Sequence, residues 1–356
     1  MSEYVTACAR VRSAAVHVSA PADVVMELVA LTRPFITVGP GDDAGRDGLP
    51  SVLVRPGPPR EPGWQRLILS SDYEPDRVLW VHDGRRAVWV SSGSPKWRTQ
   101  QVLRSVRHML RWQAYQAGDL LLHGGLVSLR GRGVAFVGGK RSGKTSSILS
   151  ALVHGGAGFV SNDDLALVES PGGGLTGYGS PRTVNIRTDS LLTLAESNIR
   201  LTRLLSSGDH PTNTFAGKHR TTESLATTSG DVLPGSLWVR PAELAEVTGC
   251  VLIDEHAVDA LVFPAFDSSA TAPALTRLGG ETARAMLDEH IELQGTKYDP
   301  FLADWFPGTD LARRQRLVDR LVATVRCYRL TQSMGALAAS TAALLDELAA
   351  RSGVAE

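Results

Sequence analysis

The chain of 356 residues is poor in three features that would each point to a class of protein. Cysteine is scarce: Cys8, Cys250 and Cys327 lie far apart and form no CxxC pair. A disulfide framework and a zinc cluster are therefore not expected, and a reducing compartment is. Long apolar runs are missing, since none approaches the roughly 20 residues of a membrane helix. The opening MSEYVTACAR lacks the charged-then-apolar pattern of a signal peptide. An excess of one charge is missing too: Lys+Arg and Asp+Glu stand at 37 each. Neither nucleic acid nor a membrane is then the expected partner. The expectation is a cytoplasmic, water-soluble chain without internal repeats.

A stretch crowded with Gly, Pro and Asp, Gly39 to Trp64, reads as loop. Around it lie strand-like pieces at Ala14 to Val18 and Arg66 to Leu69. RVLWV and AVWVS, joined through Asp83-Gly84, read as a hairpin. Residues 1–95 thus form a small strand-rich unit, with a second domain over 96–356. From Trp97 to Ala117 apolar residues recur at helical spacing, and Arg98, Arg104, Arg107 and Arg111 fall on other faces, most simply a solvated one. Leu120 to Ser128 reads as one strand, Arg130 to Gly133 as a tight turn, and Val134 to Val137 as a strand. Thr145 to His154 is helical until Gly155-Gly156. Phe159 to Ser161, Leu165 to Val168, Val251 to Ile253 and Ala260 to Phe263 read as further strands. Three helices are expected at Glu281 to Leu293, Leu311 to Cys327 and Gly335 to Arg351. The polar segment Ser206 to Asp231, with Lys218, His219 and Arg220 at its tip, is a disordered or mobile loop and a candidate lid over an acceptor.

Between the strand VAFV and the helix TSSILSALVH stands GGKRSGKT, Gly138, Gly139, Lys140, Arg141, Ser142, Gly143, Lys144 and Thr145. Its spacing is that of a phosphate-binding P-loop, with Ser146 opening the helix behind it. Glycines let the backbone curl so that successive N–H groups face one concavity, and the helix N-terminus adds its positive end. Lys144 would meet the terminal phosphates of ATP, and the Thr145 hydroxyl could ligate Mg²⁺. Lys140 and Arg141 either sharpen phosphate binding or face solvent.

A P-loop alone does not separate ATPase, GTPase, kinase and switch. Three neighbours bear on this: His123 in LLHGGLVSL, Asp163-Asp164, and Arg187 in SPRTVNIRTD. The acid pair follows Lys144 by a helix and a short strand, so βαβ geometry brings it out at the carboxyl edge of the neighbouring strand, beside the phosphates. One carboxylate would suit Mg²⁺ and the other would accept a hydroxyl proton. The plainer alternatives are an Asx turn for the acids and a core position for His123. A competing acid site is CVLIDE, which has the form of a Walker B strand. Asp254 and Glu255 there would make the protein a hydrolysing ATPase or nucleotide switch. A third reading is a silent ATP-dependent binding module.

The stretch LLHGGLVSLRGRGVAFVGGKRSGKTSSILSALVHGGAGFVSNDD resembles the C-terminal catalytic domain of HPr kinase/phosphorylase, and more closely the HPr-kinase-like proteins of natural-product gene clusters. The resemblance continues through LVFPAFDSSATAPALTRLGGETARAML and CYRLTQSM. It implies an α/β fold, a P-loop-containing kinase domain of the HPr kinase / PEP carboxykinase-like type beside the small strand-rich N-terminal unit. It also implies ATP and Mg²⁺, with the P-loop and Lys144 on the β- and γ-phosphates. Thr145 and Asp164 fall on the metal side, Asp163 is the base, His123 lies beside it, and Arg187 is a catalytic arginine. The chain departs from the family at Asn185, where a glutamate is usual, and at Thr188, where a glycine is usual, which puts Mg²⁺ affinity or the reverse, phosphorylase-type reaction in doubt and degrades the signature that goes with HPr recognition. The reading is an ATP-dependent kinase acting on a hydroxyl-bearing acceptor: a Ser or Thr of a peptide or protein, or a small metabolite. A homo-oligomer is left open, since relatives in that family form rings.

Overall fold

The computed structural model describes residues 3–41, 48–91, 93–217, 224–226, 232–292 and 299–350. Lys218, His219 and Arg220, the expected tip of the polar loop, lie outside the described residues. The chain divides into two compact units. One takes in Met1–Gly118, Thr214–Thr222 and Leu293–Asp310; the other takes in Asp119–Asn213, Glu223–Glu292 and Leu311–Glu356. The border expected at 95 thus falls at 118, because the helix that follows residue 95 packs within the first unit.

The first unit is built on a seven-stranded mixed sheet. Its strands are β1 (Tyr4–Val11), β2 (Ala14–Pro21), β3 (Thr37–Pro40), β4 (Ser51–Val54), β5 (Gln65–Ser71), β6 (Glu74–His82) and β7 (Ala87–Val90), in the order β3-β1-β2-β4-β7-β6-β5. The hairpin about Asp83-Gly84 is present as β6 and β7. The stretch 39–64 is not all loop: β4 lies inside it, parallel to β2 and β7, with Val52 and Val54 buried. Its four residues carry the strand alternation, but the surrounding Gly, Pro and Asp mask it in any composition window.

Helices α1 (Ala22–Thr32) and α2 (Pro95–Gln116) complete this unit, with α2 packed on α1, β2, β4 and β7. The α2 arginines do not form a solvated face. Arg104 pairs with the buried Glu74, Arg98 lies 3.9 Å from Asp23, and Arg111 is buried. A neighbouring network ties Asp299 to Arg77 at 3.0 Å and to His108 Nδ1 at 2.8 Å. Burial alone would raise the Asp299 pKa. The His108 and Arg77 contacts outweigh it and hold the carboxyl well below the usual carboxylate range. Burial conversely lowers the pKa of His108.

The second unit contains two main sheets. Its strands are β8 (Leu120–Leu122), β9 (Gly124–Leu129), β10 (Arg132–Val137), β11 (Gly158–Ser161), β12 (Leu165–Glu169), β13 (Leu175–Tyr178), β14 (Val184–Arg187), β15 (Ser224–Ala226), β16 (Val232–Pro234), β17 (Ser236–Val239), β18 (Glu255–Ala257), β19 (Ala260–Phe266), β20 (Ala274–Arg277) and β21 (Arg326–Gln332). One sheet has six strands in the order β11-β9-β10-β19-β21-β20, and the other has four, β18-β13-β12-β8. Strands β10, β19 and β21 are mutually parallel. The β9–β10 hairpin turns through Arg130 and Gly131, both at positive φ (49° and 73°), the signature of a type I′ turn.

The core lies between these sheets. Leu122, Leu165 and Leu167 from one meet Leu126, Val137, Val160 and Phe263 from the other, closed by the helices Gly280–Asp288 and Leu311–Thr324. Fully buried apolar side chains of this size contribute about 1.5–3 kcal/mol each. On α3 (Lys144–Gly155), the Ser150 hydroxyl bonds Leu337 O and Thr341 Oγ1 of the helix Leu337–Ala349, both at 2.7 Å. Among the described residues no helix is long and apolar enough to cross a membrane.

Candidate active site

The segment expected as one strand, Leu120 to Ser128, is two strands in two sheets. The chain leaves the four-stranded sheet after β8, passes through His123, and enters the six-stranded sheet as β9. It makes the reverse crossing after β11, through Asn162, Asp163 and Asp164, and re-enters the four-stranded sheet as β12. The crossings are adjacent because their flanks pair: Leu122 lies opposite Leu165 in one sheet, and Leu126 opposite Ser161 in the other. His123 Nε2 consequently lies 3.4 Å from Asp163 Oδ1.

Asp163 itself sits at φ 63°, a left-handed conformation that aspartate tolerates better than most residues and that still costs about 1–3 kcal/mol. The two glycines after His123 make the close approach possible. A Cβ on Gly125 would stand 2.5 Å from Ser161 O and 3.0 Å from Asn162 Cα, and one on Gly124 would stand 2.7 Å from Phe136 O.

The P-loop joins this junction from β10. Strand β9 separates β10 from β11, so the acid pair does not lie on the immediate neighbour of the P-loop strand. Because β10 and β11 are both antiparallel to β9, they run the same way and end at the same edge. Gly138 N–H reaches the carbonyl of His123 at 3.4 Å. Gly143, at φ 103°, caps α3, and a Cβ there would meet the Phe266 ring at 2.8 Å. A Cβ on Gly138 would meet Ser142 Oγ at 2.6 Å. The Lys144 ammonium is buried and donates to the carbonyls of Gly138 (2.7 Å) and Gly139 (2.9 Å), with Asp163 Oδ1 at 3.9 Å. Thr145 donates its hydroxyl proton to Asn162 Oδ1 at 3.3 Å, and Ser146 Oγ pairs with Ser190 Oγ. Lys140 and Arg141 are exposed.

The two aspartates have different surroundings. Asp164 is 3 % exposed and bonded to Arg182 Nη1 at 2.5 Å. Asp163 is more open. Burial raises its pKa, but the hydrogen bond from His123 and the charges of Arg182 and Lys144 outweigh that and hold the carboxyl below the usual range. It is therefore ionised at neutral pH.

Arg182 and His290 are two members of this site with no signal in the sequence. His290 accepts from His123 N–H through its carbonyl at 3.0 Å, and its Cε1 would lie 3.9 Å from a Cβ on Gly139. Burial, then the charges of Lys144 and His123, lower its pKa. The arginine expected beside the acids was Arg187, which instead stands exposed at the end of β14 and holds Asp189 at 2.5 Å. Asn185 lies on the same strand, opposite Trp238 of β17.

The Walker B expectation fails on burial. Val251 is 69 % exposed, and Asp254 and Glu255 are both exposed. Leu252 makes an isolated bridge to Phe159 and Ile253 packs against the core, but the residues 251–254 form no strand and the two acids face outward.

The site has the makings of an anion cradle: curled glycines, a buried ammonium, a helix N-terminus and a buried Ser142 hydroxyl oxygen without a partner. For a metal, Thr145 is the natural donor, and Asp164, expected on the metal side, is held by Arg182 instead. Among the described residues no group of three or more His, Cys, Asp or Glu is arranged to hold one.

No family model matches the chain, and no curated protein matches it. Among solved structures it is similar to the Hpr(Ser) kinase/phosphatase from Coxiella burnetii at 10 % identity, over 65 % of this chain and 97 % of that one, with a TM-score of 0.27. A likeness at that score carries no argument.

Proposed function

We propose that the protein is an ATP-dependent kinase that transfers the γ-phosphoryl group to a hydroxyl. The observation that carries this reading is the ionised Asp163 carboxylate, 3.9 Å from the P-loop lysine and 3.4 Å from His123. Lys144 would exchange its two carbonyl partners for the β- and γ-phosphates, and the loop amides would hold the same oxygens. Bound Mg²⁺ would neutralise charge on the phosphates, with Thr145 the residue that would hold it.

The acceptor oxygen forms a bond to the γ-phosphorus as the bridging bond to ADP breaks, and the hydroxyl proton passes to Asp163. A carboxylate this acidic is a weak base, so its first task is to accept a hydrogen bond and aim the hydroxyl. The proton follows as the new bond forms, which suits the loose transition state of phosphoryl transfer. His123 holds the carboxylate in place, and Arg182 anchors Asp164 next to it. Acceptors in this reading are a Ser or Thr of a peptide or protein, or a hydroxylated metabolite.

The test is incubation with ATP and Mg²⁺, with and without candidate acceptors, followed by mass spectrometry. The expected result is an acceptor heavier by one phosphoryl group. Release of free phosphate that ignores the acceptor and is lost in Glu255→Gln would contradict the proposal in favour of an ATPase.

A further inference from the structure

Resting on the phosphoryl-transfer reading, we propose that Asn162 is a positioning residue that orients the Thr145 hydroxyl toward a nucleotide-bound metal. Asn162 is wholly buried at the end of β11, and its Oδ1 accepts the Thr145 proton at 3.3 Å. A hydroxyl has one proton and two lone pairs. Committing the proton to Asn162 turns the lone pairs away from the amide and leaves them free for a cation. The backbone that carries the amide lies close against Gly125, where a Cβ would stand 3.0 Å from Asn162 Cα. Its Nδ2 has no hydrogen-bond partner. The side chain is also neutral. Asp164 being engaged by Arg182, the negative charge facing Lys144 is that of Asp163, and Asn162 supplies an acceptor without adding a second carboxylate there.

The experiment titrates a fluorescent ATP analogue against the full chain, once with Mg²⁺ and once with EDTA. Asn162→Ala is expected to lose roughly 10–100-fold in affinity with Mg²⁺, the usual effect of removing a partner that orients a metal ligand. With EDTA its affinity should match the unaltered protein. Asn162→Asp, which keeps the acceptor oxygen, should retain the Mg²⁺-dependent gain. Thr145→Ala should lose that gain, and the double variant Thr145→Ala/Asn162→Ala should lose no more than either alone. Equal weakening with and without Mg²⁺, no weakening, a loss in Asn162→Asp as large as in Asn162→Ala, or additive losses would each overturn the proposal. If Asn162→Ala fails to fold, the comparison of Asn162→Asp with Thr145→Ala decides it: retention in the first and loss in the second support it, and any other pair overturns it. An unaltered protein that binds no nucleotide under either condition contradicts the kinase reading itself, a distinct result that removes this proposal with it.

Discussion

Lys144 opens α3 and Asp163 follows β11, and the charge balance between them sets how the site responds to pH. The Asp163 carboxyl titrates below the usual range because His123, Arg182 and Lys144 outweigh its burial. Under the proposed phosphoryl transfer its charged form is the working form. Activity is therefore present above the Asp163 pKa and lost as pH falls through it. Replacing His123 by Ala removes a hydrogen bond and a nearby charge that favour the carboxylate, so the pKa rises. The acid limb of the kcat/KM profile should then move to higher pH. A profile with an unmoved acid limb would show that His123 does not govern this carboxylate. The loop 138–145 stood out in the sequence because its pattern is local, with glycines, lysine and threonine at fixed spacing. His123 and Asp163 could be picked out through resemblance, and the pairing of two sheets brings them within 3.4 Å. Arg182, His290 and the Thr145–Asn162 bond left no such trace. Each depends on where distant strands and a helix end come to rest, and residue spacing carries no record of that. Arg187, expected as a catalytic arginine, stands exposed at the end of β14 and holds Asp189.

At the scale of elements, the feature that builds the site is the change of sheet at both crossings. LLLHGGLVSL reads as a single strand because apolar alternation reports burial and not sheet membership. The glycine pair was the only hint, and its reason is steric. Gly125→Ala would press a methyl group to 2.5 Å from Ser161 O, a backbone atom with little freedom to retreat. The expected cost is about 1–3 kcal/mol or more, the range for overpacking, read as a lower midpoint in urea denaturation. Gly172→Ala is the control: nothing lies within 4 Å of a Cβ there, and its stability should stay within about 0.5 kcal/mol. Equal effects at both positions would contradict the steric account. The β4 strand was hidden for a different reason, being four residues long inside a Gly- and Pro-rich stretch.

Across the whole molecule, the first unit draws on three separate parts of the chain, so no single cut releases it complete. Its buried network needs Asp299, which lies far along the sequence from His108 and Arg77. Asp299→Asn leaves these partners buried without their carboxylate, a loss of about 3–5 kcal/mol. The carboxyl is held below its ordinary range, so its contribution is complete above the ordinary pKa and fades as pH falls below it. The variant should accordingly show a flatter acid-denaturation curve. A fragment of residues 1–118 should lack a cooperative native-like melt, and a full one would refute this assignment. Such long-range assembly is invisible to composition, which is why a border at 95 looked natural. The balanced charge of the chain fits an enzyme that relies on a local cradle more than on a large field. The most direct test of that cradle's role compares transfer of the γ-phosphoryl group by the unaltered protein and by Asp163→Asn under single-turnover conditions, alongside ATP affinity. The account predicts a rate about 10²–10⁴-fold lower with nucleotide affinity essentially preserved. Undiminished transfer to the hydroxyl by Asp163→Asn would contradict it.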